Sequence, residues 1–152
     1  MIVTFCGHRN IPGNSMITNR LTETIAKLFL KATKDNVPIS FYCGGYGEFD
    51  YLTENVIDKV RCDFPNTRCE KVFVTPYITQ SYQYRNEQMK RRFDDIIYPP
   101  IENVPYRYAI IRRNEWMINV ADFVVAYVKY SWGGAAHSLE YAKRKNKNII
   151  LI

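Results

Sequence analysis

Arg112 to Ile152 reads RRNEWMINVADFVVAYVKYSWGGAAHSLEYAKRKNKNIILI, and this stretch decides the fold. Phe123 to Val128 (FVVAYV) is a continuous apolar, β-branched run of the kind found in strands covered on both faces. Trp132-Gly133-Gly134-Ala135-Ala136 follows after a short link, and then Ala135, Leu139 and Ala142 recur at i, i+4 and i+7 as on one face of a helix. Asn146 to Ile152 supplies a last, edge or near-edge strand. A strand that feeds a small-residue turn and a helix N-terminus aims free backbone N–H groups and the positive end of the helix dipole at one point. That point suits a phosphate or a carboxylate.

The helix ahead of the strand carries a charge in an unexpected place. At 100° per residue, Tyr106, Ala109, Ile110, Trp116, Met117, Val120 and Ala121 form one apolar arc, with Arg113 in its middle. An unpaired buried guanidinium costs several kcal/mol or more, so Arg113 needs an anion or a route to the rim. Two readings stay open. Arg113 snorkels or pairs with Asp122 or Glu140, or it reaches an anion held above Gly133-Gly134.

Working back toward the N-terminus, the same alternation repeats. Ile2 to Cys6 is a short buried strand that ends at Gly7-His8-Arg9, and Ile17, Leu21, Ile25, Leu28 and Ala32 then keep helical spacing, with Asn14 or Ser15 as N-cap. His8 and Arg9 therefore project from the C-terminal end of a strand, the ligand edge of open α/β sheets, unless they are simply solvated loop residues. Ile39 to Cys43 is a second strand, and Gly44-Gly45-Tyr46-Gly47 leads directly into a helix near Phe49 that carries Leu52, Val56 and Val60 on one face. Glycines there permit positive φ and close approach of a ligand. Glu48 and Asp50 in the first helical turn favour the dipole but repel a phosphate placed over it. The phosphate is therefore expected at Gly133-Gly134, and the Gly44 to Asp50 loop takes the sugar or base, whose hydroxyl and amine groups a carboxylate can accept.

Val72 to Thr75 is a third strand, and Tyr77 to Pro105 holds one short helix, about Tyr84 to Phe93, and a short strand from Asp95 to Tyr98. Tyr77, Tyr82, Tyr84 and Tyr98 suit a dimer interface or the cover of a base. Strands and helices alternate with no repeat and no interdomain linker. The expectation is an α/β fold, a single Rossmann-like three-layer domain over residues 1–152 with a mostly parallel sheet.

Composition narrows the class. No apolar run reaches the roughly 18 residues of a membrane span, and the N-terminus reads as a strand instead of a signal peptide, so a cytoplasmic protein with no membrane partner is expected. Cys6, Cys43, Cys62 and Cys69 form no C-x-x-C pair, and with His8 and His137 the only histidines, neither a metal site nor a cofactor is expected. The formal net charge of +6 suggests an anionic partner, but the basic residues are spread out apart from Lys90-Arg91-Arg92 and Lys143-Arg144-Lys145. Without a denser footprint, nucleic acid is not the expected partner.

The order Arg113, Met117, Asp122, Gly133-Gly134, Glu140 resembles the SMF/DprA-LOG (SLOG) superfamily of Rossmann-like nucleotide-binding proteins. In its LOG-type phosphoribohydrolases, R-x3-M-x4-D precedes P-G-G-x-G-T-x-x-E, and the Arg and Glu act in cleaving an N-glycosidic bond. The resemblance sets Arg113 and Glu140 on that pair, while Trp132, Ala136 and His137 stand where the family has Pro, Gly and Thr. Gly7-His8-Arg9 after the first strand and Asp50 after the second resemble further elements of the superfamily. The resemblance implies a homodimer.

These features together imply a site at the C-terminal edge of the sheet built from Gly7, His8, Arg9, Gly44, Gly45, Gly47, Asp50, Trp132, Gly133, Gly134, Ala135 and His137. The first expectation is a protein that senses, stores or sequesters a nucleotide-derived small molecule. The alternative is a nucleoside-monophosphate N-glycosidase with Arg113 and Glu140 as catalytic pair, unless Glu140 only pairs with Arg144 at i+4. Single-stranded DNA binding ranks behind both.

Overall fold

The structure is a computed structural model that describes residues 1–11, 13, 15–78 and 87–152. Its elements are β1 (Ile2–Gly7), α1 (Ser15–Asp35), β2 (Ile39–Cys43), α2 (Glu48–Arg61), β3 (Cys69–Val74), β4 (Asp95–Ile97), a 3-10 turn (Tyr106–Tyr108), α3 (Ala109–Val120), β5 (Phe123–Tyr127), α4 (Gly133–Arg144) and β6 (Asn148–Leu151). Asn14, Tyr82 and Tyr84, and with them the start of the short helix expected from Tyr84, lie outside the described residues; within it, residues 87–90 are helical.

Six strands form one sheet in the order β4-β3-β2-β1-β5-β6, and every pair is parallel. The expected mostly parallel sheet is thus wholly parallel, with helices on both faces. Side-chain alternation along the strands assigns the layers. Val3 and Phe5 of β1 with Phe41 of β2 point to the face covered by Leu21, Ile25 and Phe29 of α1 and Phe49, Val56 and Ile57 of α2. Cys6, Val124 and Ala126 point the other way, onto Ile118 of α3 and Leu139 and Ala142 of α4. Two asparagines in the left-handed region end α1 and α4: Asn36 at φ 52° and Asn146 at φ 51°. In each case a backbone N–H one residue on closes onto the last turn, Val37 onto Ala32 O and Lys147 onto Ala142 O.

The apolar arc expected on α3 is corrected in part. Ala109, Arg113, Met117 and Ile118 are the buried residues, whereas Tyr106 is 70 % exposed and Ile110 36 %. Tyr106 sits in the 3-10 turn, where each residue advances about 120° and not about 100°, so it rotates off the stripe that the α-helical phase would give it. Arg113 stays in the middle of the buried stripe.

Asp122 also finds a structural place. Its Oδ2 accepts from Ile2 N at 2.7 Å and its own N–H donates to Ile2 O at 2.8 Å, which stitches β5 to β1 at the N-terminal edge of the sheet. That is the edge opposite the glycine turns.

Candidate functional site

β1 hydrogen-bonds to β2 on one side and to β5 on the other, so the chain reverses its direction of winding between β1 and β5. A crevice opens beyond the carboxyl ends of the strands at such a reversal. Here it is a cavity of about 370 Å³. Its wall includes Gly7, His8 and Arg9 from the end of β1, Gly44 and Asp50 from the β2–α2 junction, Arg113 from α3, and Trp132, Gly133, Gly134 and Ala135 from the start of α4. Segments more than a hundred residues apart in sequence therefore meet at one place.

The two glycine corners differ in what fills them. At the first, Gly47 has φ 100° and a Cβ there would stand 2.9 Å from Arg9 Cα, so only glycine lets the β1–α1 loop cross the start of α2. That loop then takes the helix terminus: Glu48 N donates to Arg9 O at 2.7 Å, and Glu48 Oε2 accepts from Ile11 N at 2.7 Å. Asp50 Oδ2 accepts from Tyr46 N at 2.7 Å. At the second corner, Trp132 makes no side-chain cap, and nothing lies within 4 Å of where a Cβ would stand on Gly133 or Gly134. The first-turn N–H groups of α4 have no intrahelical acceptor by geometry, and Gly133, Gly134 and Ala135 line the cavity.

Arg113 is 2 % exposed and solves its burial through the backbone. Nη1 donates to Gly44 O at 2.8 Å and to Val74 O at 2.6 Å, the carbonyls at the ends of β2 and β3. The guanidinium carbon lies 5.5 Å from the Tyr46 ring centroid. Asp122 and Glu140, the partners considered from sequence, are engaged elsewhere, with Ile2 N and with Lys143. The charge nonetheless lines the cavity, beside the same Gly44 as Asp50: a Cβ on that glycine would meet Asp50 Oδ2 at 3.0 Å and Arg113 Nη1 at 3.2 Å.

Asp50 is the carboxylate in the cavity wall. Burial pushes its pKa up to about 6, while the Tyr46 amide, Arg113 and Arg92 pull it down and Glu54 pushes it up. Cys6 also reaches the wall, but burial raises its thiol to about 12, so it stays protonated and is no nucleophile. Among the described residues no group of three His, Cys, Asp or Glu side chains is placed to hold a metal ion.

His8 holds the open corner in place. Its Nε2 accepts from Lys129 N at 2.8 Å and Tyr130 N at 3.3 Å, which makes Nδ1 the protonated nitrogen of the neutral ring. Rings run outward from there, with His8 5.0 Å from Tyr130 and Tyr130 stacked 5.5 Å from Trp132, which is 72 % exposed.

Four expected site residues do not reach the cavity wall. Gly45 at φ 70° backs onto Phe73, and Gly47 makes room for Arg9. His137 is exposed, with Nε2 4.0 Å from Glu115 Oε1. Glu140 faces solvent and pairs with Lys143 at 2.7 Å, at i+3 and not with Arg144 at i+4. Its distance is axial: seven residues of helix rise about 10 Å, which carries Glu140 away from the edge although it lies on nearly the same angular face as Gly133. Tyr46, Asn114 and Ser138 line the cavity without having been singled out from sequence. Ser138 had a signal, since it follows Gly134 by one helical turn. Its side chain is buried, and its hydroxyl takes no partner among the described residues.

No family model and no curated protein sequence matches the chain. Among solved structures it is similar to DNA processing protein A from Helicobacter pylori, described for its unique single-stranded DNA binding mode, with a TM-score of 0.61 and 16 % identity over 99 % of this chain. The chain spans 64 % of that protein's length. At this identity the likeness establishes the Rossmann-like fold. It also overturns the expectation that nucleic acid is not a partner: a protein of this fold binds single-stranded DNA, so diffuse basic charge is no ground for setting that class aside. No helix among the described residues is long and apolar enough to cross a membrane.

Proposed function

We propose that the chain is a SLOG-type protein whose cavity binds a nucleotide, with the phosphate on the Gly133–Ala135 amides. The open, uncapped start of α4 carries this reading, because it offers several unused N–H donors to one anion. Arg9 and Arg113 add positive charge elsewhere in the cavity lining, and Ser138 adds a hydroxyl. The cavity volume falls in the range of small-molecule sites. Thermal-shift measurement against nucleoside monophosphates, cyclic nucleotides and ADP-ribose-like compounds tests the reading. A ligand at about 100 times its dissociation constant adds about 2.7 kcal/mol of stability, and a panel that shifts nothing rejects the proposal.

A second reading is favoured by the fold likeness and by the exposed Tyr130–Trp132 stack: the nucleotide is part of a single strand. Aromatic faces beside an electropositive edge take successive bases whatever their sequence. Fluorescence anisotropy on labelled oligonucleotides, repeated across salt concentrations, tests it; affinity that falls with a slope of about −0.7 per phosphate contact supports it. The N-glycosidase alternative loses the acid on which it rested, since Glu140 lies outside the cavity.

A further inference from the structure

We propose that Asp50 makes the cavity selective for ribonucleotides over 2′-deoxyribonucleotides, by accepting the sugar hydroxyls with the carboxylate oxygen that the protein leaves unused. The inference rests on the reading of a phosphate at Gly133–Ala135. One wall of the cavity is then anion-binding, and another carries a carboxylate that repels a phosphate. Only a ligand with its phosphate at the α4 corner and hydrogen-bond donors toward α2 satisfies both.

The protein has already committed half of that carboxylate. Asp50 Oδ2 is held by Tyr46 N at 2.7 Å, which fixes the side chain, and Oδ1 takes no partner among the described residues. An ionised carboxylate only accepts, so its complement is an O–H or N–H donor. The base has another place to go, onto the exposed ring of Trp132 at the mouth. The sugar is therefore the part of the ligand that meets Asp50, and its vicinal hydroxyls are the donors. A 2′-deoxy sugar leaves a charged acceptor short of a donor in a half-buried wall, and sites built to bind a hydroxyl discriminate strongly against ligands that lack it.

The groups around Asp50 keep it in use at neutral pH. Arg113 acts on it from α3 and the Tyr46 amide from the glycine loop, with a smaller pull from Arg92. Glu54 one turn along α2 opposes them, and the thiols of Cys6 and Cys43 on β1 and β2 stay protonated.

Titration calorimetry with the whole chain, comparing the four ribonucleoside 5′-monophosphates with their 2′-deoxy counterparts at pH 8, tests the proposal. At least one ribonucleotide should bind about tenfold or more tightly than its deoxy form. Asp50→Asn keeps an oxygen for Tyr46 N but turns the free position into a donor, and the gap should close to under about threefold. The wild-type ratio stands as a test even if the variant does not fold. Equal affinity for the two sugars, or a ribose preference that survives Asp50→Asn, overturns the selectivity while leaving phosphate binding intact. If no nucleotide of either kind binds, both the selectivity and the reading beneath it fall.

Discussion

The corner at Gly44–Gly47 and the corner at Trp132–Ala135 begin alike, with a parallel strand, a glycine-rich turn and a helix start aimed at the same cavity. They end differently. The first is occupied by the protein's own chain, through Arg9 O, Glu48 and Asp50, and its glycines are packing residues. The second has no cap and open space in front of it. A glycine-rich turn is thus a permission for close approach, and whether the approaching group is a ligand or a loop is settled elsewhere in the sequence.

The contrast can be broken most severely at Arg113, which ties the first corner to the strand ends. Arg113→Ala leaves Gly44 O and Val74 O without their buried donor and opens a void, and urea denaturation should show a loss of about 3–5 kcal/mol. A loss under about 1 kcal/mol would mean that the guanidinium is held for a ligand and not for the fold.

Next in size is the pH dependence of stability. Asp50 has a folded pKa of about 6 against an ordinary 3.8, so the folded chain binds more protons than the unfolded one between these values. Stability from this group is fully present below the lower value and is lost as pH rises through the upper one, by on the order of 3 kcal/mol. Denaturant midpoints at pH 4 to 7 should show that slope, and Asp50→Asn should flatten it.

Gly47→Ala should destabilise by about 1–3 kcal/mol, since the backbone is left-handed and the Cβ meets Arg9. Gly134→Ala is the matched experiment at the other corner. There a methyl group meets nothing, so stability should hold or rise by up to about 1 kcal/mol, while nucleotide affinity drops because the methyl enters the phosphate's space. If both alanines cost stability equally, the two corners are not distinct in kind. The smallest effect belongs to Glu140→Ala, an exposed pair at i+3 whose loss should change stability by less than about 0.5 kcal/mol and leave ligand binding as it was.

What the sequence disclosed follows from which interactions are local. FVVAYV, IVTFC and ISFYC announce buried strands, and the alternation with helices is enough for a parallel sheet; convergence of the turns then follows from topology. Arg113 was legible as a charge on a core stripe, but its acceptors were not, because carbonyls at the ends of β2 and β3 leave no mark on side-chain pattern. The filled state of the first corner was hidden for a similar reason. Glu48 and Ile11 are 37 residues apart, and their hydrogen bond depends on how a loop crosses a helix start. Glu140 stands outside the cavity wall because of its distance along the axis, which angular periodicity does not report.

The hydrogen bonds from Lys129 and Tyr130 to His8 bear on how fast anything can enter. The loop that shapes the open corner is already moored to the first strand, so the free-energy cost of ordering it is met when the chain folds and not when a ligand arrives. Arrival at that corner should then proceed in a single kinetic phase that scales with ligand concentration and has no slow closing step. Removing the imidazole with His8→Ala would introduce the missing delay.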